Sequence, residues 1–137
     1  MAKNNHELFE SEWAIMEAVW DLEPCAAPMV QEALQETRKW AYSTVKTLMD
    51  RMAAKGLLHR EKICNLNLYR SAITQTQAQK GEVVKTLNRA FQGAMTPMMQ
   101  FLLEHEDIPE AELNYLERII KQKRQERTAA KTPKSQL

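Results

Sequence analysis

The sixteen residues from Trp40 to Lys55, closed at once by Gly56, restrict the folds open to this chain more than any other stretch. On a helix, Val45, Leu48, Met49 and Met52 fall at spacings of three and four and form one apolar stripe. The opposite face carries Ser43, Thr47, Asp50 and Ala54, with Thr44, Lys46 and Arg51 on its flanks. A helix that enters the DNA major groove needs such a face. Small polar residues let the backbone approach the base edges, and hydroxyls and cations read or clamp. An ordinary amphipathic surface helix has the same pattern, so the flanking segments must discriminate.

Upstream, Ser11 is the expected N-cap of a first helix in which Trp13, Met16, Val19 and Trp20 recur up to about Leu22. Residues 1–10 read as a flexible lead-in. Asp21 to Pro28 is a connection with an extended piece at Cys25 and Ala26. Pro28 suits the first turn of a second helix with Met29, Val30, Ala33 and Leu34 on its apolar side, ending near Thr37. Downstream, Gly56 is the expected C′ residue of the third helix. Leu57 to Lys62 and Leu68 to Ile73 read as short strands joined through Ile63 to Asn67, where two asparagines favour turns. Three helices and then a β-hairpin is the winged-helix order. Arg60, Lys62 and Arg70 would reach phosphates from the hairpin.

Charge coincides with that geometry. Up to Thr37 there are eight acidic residues and one basic, whereas Arg38 to Thr74 has eight basic residues against Asp50 and Glu61. Met95 to Glu117 has six acids and no Lys or Arg; Arg118 to Leu137 has seven basic residues and one acid. The positive excess falls on the third helix and the hairpin, as an anion-binding surface requires.

Three more helices are expected. A long one from Gln77 carries Val83, Val84, Leu87 and Phe91 and ends near Gly93. A short one is capped by Thr96 with Pro97 in its first turn. The last is opened by Pro109, with Leu113, Leu116, Ile119 and Ile120 in register. Met95, Met98, Met99, Phe101, Leu102 and Leu103 crowd a segment too short to bury them against itself, so a second copy of the chain is the natural cover. The boundaries read as a winged-helix DNA-binding domain over 1–74, a helical dimerisation domain over 75–127 and a disordered tail over 128–137. The fold class is mainly α with a small β-hairpin wing.

Other classes find little support. No apolar run approaches the roughly 18 residues of a membrane span, and the first residues lack a secretory apolar core. A cytoplasmic protein with two unpaired thiols, Cys25 and Cys64, is expected. His6, His59 and His105 are scattered, and no nucleophile–base spacing, phosphate loop or HExxH motif appears, so no enzyme activity and no cofactor is expected. The acids from Glu104 to Glu112 lack the rigid loop spacing of a hard-cation site.

Glu12-Trp13, Val19-Trp20, Trp40 through Leu48 with Arg51 and Lys55-Gly56, Tyr69, Ser71 and the run EHEDIPEAELNYLERII together resemble the penicillinase and methicillin-resistance repressor family, which also includes copper-transport repressors. The resemblance covers nearly the whole chain. It implies a homodimeric winged-helix repressor on a palindromic operator in double-stranded DNA. The implied reading positions are Ser43, Thr44, Lys46, Thr47 and Arg51, with wing contacts from Arg60 and Lys62. Dimerisation would involve Val84, Leu87, Phe91, Met95, Met98, Phe101, Leu102, Leu113, Leu116, Ile119 and Ile120. The family's usual Ser-Pro start of the third helix is Ala41-Tyr42 here. In β-lactam-responsive relatives a sensor protease cuts an Asn-Phe bond, and the matching bond is Gln100-Phe101. The paired Cys-x-Cys motifs of copper-responsive relatives are absent from the sequence, and no metal site is expected. The competing readings are a metal-responsive repressor and a winged-helix protein-interaction adaptor that does not bind DNA. The adaptor has no need of a basic third helix and wing.

Overall fold

The computed structural model describes residues 7–136, with side chains through Ala130. Along them run α1 (Glu10–Leu22), α2 (Ala27–Ala33), α3 (Tyr42–Ala54), β1 (Leu58–Ile63), β2 (Leu66–Ser71), α4 (Gln75–Phe91), α5 (Met95–His105) and α6 (Glu110–Gln136). The chain divides into two compact units after Gly93. The first is a winged helix: α1 to α3, a two-stranded antiparallel hairpin, and α4.

Its core is assembled from one face of each element. Ile15, Met16 and Val19 of α1, Val30 of α2, and Val45, Met49 and Met52 of α3 are completely enclosed. Leu57, Leu58, Tyr69 and Ile73 close it from the hairpin side, and Ala78 is the contribution of α4. Leu8 is buried with them, so the lead-in expected over 1–10 is packed from at least that residue; residues 1–6 lie outside the described chain. α1 begins at Glu10 rather than after Ser11, because the Glu12 carboxylate accepts the N–H of Phe9 at 2.9 Å and terminates the helix one turn back. Glu12 is itself buried and is compensated by Lys55 Nζ at 2.5 Å, which ties the end of α3 to the start of α1.

α2 is shorter than its apolar pattern suggests. It stops at Ala33, and the segment up to Lys39 turns through Arg38 N–H to Leu34 O (2.8 Å) and a left-handed Lys39 (φ 56°). α3 ends as expected at Gly56, φ +88°. Leu57 N–H reaches Met52 O at 2.9 Å and Gly56 N–H reaches Ala53 O at 3.2 Å, the double closure that favours glycine there. The hairpin loop is two residues, not five. Cys64 (φ 51°) and Asn65 (φ 65°) both take the positive φ that a primed turn demands, and Ile63 pairs with Leu66. The extended piece at Cys25 pairs with β2 through a single isolated bridge, exchanging hydrogen bonds with Tyr69 at 3.1 and 2.8 Å.

Thr74 caps α4 reciprocally with Gln77 (3.0 and 2.8 Å), which moves the helix start to Gln75. α5 begins at Met95 with Ala94 in the cap position, not Thr96. Pro97 still lies in the first turn, where its missing N–H costs nothing. α6 continues to Gln136, through the stretch read as a disordered tail from Thr128. Gln, Lys, Arg, Glu and Ala between 121 and 130 are good helix formers, and Gln122 bridges to Glu126 at 3.4 Å. The first compact unit runs on through α4 to Gly93, with Ala78 of α4 buried in its core.

Because Met49 has no exposed surface, Met49→Ala is expected to cost about 2–5 kcal/mol of stability, and Thr47→Ala less than about 0.5, as read by urea unfolding. Equal losses would show that the buried stripe is assigned wrongly.

Candidate nucleic-acid interface

The buried stripe of α3 leaves its remaining face to solvent. Ser43, Thr44, Thr47 and Arg51 are exposed and line an open groove edged by Ser11, Trp40 and Leu48. Arg38 stacks over the Trp40 ring (5.5 Å to the centroid), and Gln31 donates to Trp40 O at 3.4 Å, which fixes the segment leading into α3. No side chain caps the start of the helix at Ala41, so its first N–H groups keep their hydrogen-bonding capacity.

The hairpin stands beside α3. Arg60 lies opposite Tyr69 and Lys62 opposite Asn67, so Arg60 and Lys62 share one face of β1 by strand alternation. Arg70, paired with His59, falls on the other face.

Between helix and wing sits a cluster that inspection of the sequence missed. The Asp50 carboxylate accepts Lys46 Nζ at 2.7 Å on Oδ2, and Arg60 Nη1 at 2.9 Å and Tyr69 Oη at 2.8 Å on Oδ1. Two of the expected reading and wing residues, Lys46 and Arg60, are thus brought together by an acid and are not free cations. The pairing of Lys46 with Asp50 was legible as an i,i+4 spacing. The arrival of Arg60 and Tyr69 depends on hairpin register. Partial burial pushes the Asp50 carboxyl up, but the hydrogen bonds from Lys46, Tyr69 and Arg60 outweigh it and hold the group below its ordinary value. Its bond to Asp50 raises Lys46, while burial and then its own hydroxyl bond to Asp50 raise Tyr69.

The expected dimerisation residues fall in both units. Val84, Leu87 and Phe91 are on α4; Val84 is exposed and the other two half-buried. In the second unit Met95, Phe101, Leu102, Leu113, Ile119 and Ile120 are exposed, and Met98 and Leu116 half-buried. None of the described side chains of α5 or α6 is buried. Gln100 and Phe101 lie within α5, where Gln100 donates to Glu104 at 3.0 Å and the Phe101 ring meets His105 at 4.3 Å. Cys25 is buried and Cys64 exposed. Burial, and then the charge of Glu23, push the Cys25 thiol up to about 11. Among the described residues no group of three His, Cys, Asp or Glu side chains could hold a metal, and no helix is long and apolar enough to cross a membrane.

The penicillinase repressor family model matches residues 8–122. The chain belongs to this family. The methicillin resistance regulatory protein MecI of Mammaliicoccus sciuri is 24% identical over 123 residues, covering 90% of this chain and all of the relative. The penicillinase repressor of Bacillus licheniformis is 23% identical over 116 residues, covering 85% of this chain and 91% of the relative. Among solved structures, the Bacillus licheniformis BlaI monomeric form in complex with the blaP half-operator matches at 23% identity and a TM-score of 0.45, over 51% of this chain and 85% of that one.

A carboxylate held below its ordinary value of 3.8 contributes its full stability above that pH and loses it as pH falls through the lower folded value. The stability difference between wild type and Asp50→Asn is therefore expected to be level above pH 3.8 and to shrink below it. Urea unfolding across acid pH checks this, and a difference that grows on acidification would contradict it.

Proposed function

We propose that this protein is a homodimeric transcriptional repressor that binds a palindromic operator in double-stranded DNA. The observation that carries this reading is the exposed face of α3. Ser43, Thr44, Thr47 and Arg51 stand clear of the core beside a wing bearing Arg60 and Lys62, within the segment where basic residues outnumber acidic ones eight to two. Short hydroxyls can approach base edges, Arg51 can take a guanine edge or a phosphate, and Lys62 can hold the flanking backbone. Membership of the penicillinase repressor family supports the same reading. An adaptor that bound only protein would gain nothing from this coincidence of a small polar helix face with a cationic rim.

Dimerisation is supported by the apolar side chains of α5 and α6. Phe101, Leu102, Leu103, Ile119 and Ile120 are each 44% or more exposed in the single chain, a large apolar area for a monomer to leave in water. A second copy covers this surface without any new partner and supplies the second reading helix. Repression is steric, by occupation of a promoter. Relief follows loss of the dimer, and cleavage by a sensor protease at Gln100–Phe101 would achieve it by cutting α5 within the association surface.

Two outcomes test the reading. A duplex enriched by the protein from a randomised pool should bind with an affinity that falls steeply with salt, and Arg51→Ala should weaken that binding by about 1–3 kcal/mol with the unfolding curve unchanged. Affinity indifferent to both salt and Arg51 contradicts DNA binding. Separately, Phe101→Asp and Leu116→Asp should sediment as monomers and bind a two-half-site duplex markedly more weakly, since the second half-site contact is no longer intramolecular. Intact dimers in both variants would refute the assigned association surface.

A further inference from the structure

A carboxylate on a surface offered to DNA is an electrostatic oddity, because it repels the phosphates its neighbours attract. Asp50 is such a group, and it is firmly held. Its three donors come from three elements: Lys46 from α3, Arg60 from β1 and Tyr69 from β2. Tyr69 has no exposed surface and exchanges two backbone hydrogen bonds with Cys25, so its hydroxyl is fixed to the core. The Lys46, Asp50 and Arg60 side chains, by contrast, are about one-third to one-half exposed, at 31%, 35% and 46%. The cluster presents a net charge of one where two unpaired cations would present two. Yet each cation meets the carboxylate through one nitrogen, and an ammonium has three donors and a guanidinium five. Their direction is set while most of their hydrogen-bonding capacity is kept.

Two effects on DNA follow. Attraction to phosphate in general is reduced, since that attraction scales with the cations available to displace counterions. The two side chains also lose the freedom to swing onto whichever phosphate is nearest, which leaves them aimed between helix and wing.

We propose that Asp50 is a specificity-determining positioning residue: an internal acceptor that ties Lys46 to Arg60 and keeps both from collapsing onto arbitrary phosphates of duplex DNA. This rests on the DNA-binding reading above and deepens it. Asp50 sacrifices some total affinity, and the gap between operator and other sequences widens.

The test uses the full chain and two labelled duplexes, one enriched by the wild-type protein from a randomised pool and one scrambled. Fluorescence anisotropy is read across about 50 to 200 mM salt. Asp50→Asn is expected to bind the scrambled duplex roughly five- to tenfold tighter. It should steepen that duplex's log–log salt slope by about 0.9 for each cation released. Its preference for the enriched duplex should fall by about tenfold or more. Asp50→Glu should restore the wild-type slope, and Tyr69→Phe, which keeps the carboxylate and both cations, should leave it near wild type. A merely structural role would instead make the slope follow the unfolding midpoint through the series.

An unchanged slope and preference in a folded Asp50→Asn overturns the proposal. Should that variant not fold, Lys46→Gln and Arg60→Gln decide. Each should reduce the wild-type slope on the scrambled duplex by well under about 0.9, and a full loss from each overturns the proposal. Wild-type protein that shows no salt-dependent binding to either duplex overturns the DNA-binding reading itself, a result separable from failure of the Asp50 role alone.

Discussion

Burial of Val45, Met49 and Met52 is the constraint on which the other features depend. These three side chains of α3 are wholly enclosed by α1, α2 and the hairpin, which fixes both the position and the rotation of the helix about its own axis. Ser43, Thr44, Thr47 and Arg51 are exposed because the opposite stripe cannot turn outward without opening the core. The bond from Lys55 to buried Glu12 secures the same orientation from the C-terminal end. Removing the lysine would leave a charged carboxylate without its partner in a site shielded from water, so the contact disfavours alternatives more than it adds net stability.

The hairpin is held to this frame by polar contacts as well as by packing. Glu23 Oε1 accepts the backbone N–H and the hydroxyl of Ser71 at 2.7 and 2.9 Å, and Trp20 Nε1 donates to Ile73 O at 3.1 Å. With the rung between Cys25 and Tyr69, these bonds fasten β2 to the end of α1 and the connection after it. β1 is the outer strand and carries Arg60 and Lys62, so the cationic residues lie on the strand that remains accessible. Asp50 then links that outer strand back to α3. Wing and α3 are therefore joined through a charged side chain at the surface as well as through the core beneath.

Much of this was legible from residue order alone. The apolar spacing in Trp40–Lys55, Gly56 as a helix terminator, the extended piece at Cys25 and the order of three helices before a hairpin all rest on local preferences, and local preferences survive folding. Features that depend on long-range pairing were not legible. Asn65 and Asn67 are equally good turn residues, so local propensity cannot choose between a two-residue and a five-residue loop. A five-residue loop closing Lys62 against Leu68 would set Arg60 opposite Arg70. The observed register sets it opposite Tyr69, and that one-residue difference exchanges the faces of the strand. The Asp50 cluster follows from the register and was invisible without it. Similarly, Ser11 was a reasonable cap by type, but Glu12 could reach back to Phe9 and start the helix earlier. The extension of α6 past Thr128 reflects helix propensity in a segment whose polarity also suits a tail, and polarity alone does not separate the two.

The two units differ in how they satisfy their apolar residues. The first encloses its large side chains with a few residues from each element. The second has α5 and α6 with no buried side chain among those described. A helix pair that leaves Phe101, Leu102, Ile119 and Ile120 in water gains little from its own packing, and in the proposed dimer folding of this unit and pairing of chains would become one equilibrium. In the proposed repressor, that coupling has a functional consequence. One winged helix offers a short reading surface whose cations are partly neutralised by Asp50, a design that keeps single-site affinity modest. Occupancy of DNA then depends on two such surfaces acting together, and anything that weakens the α5–α6 association lowers occupancy far more than its local effect on either winged helix.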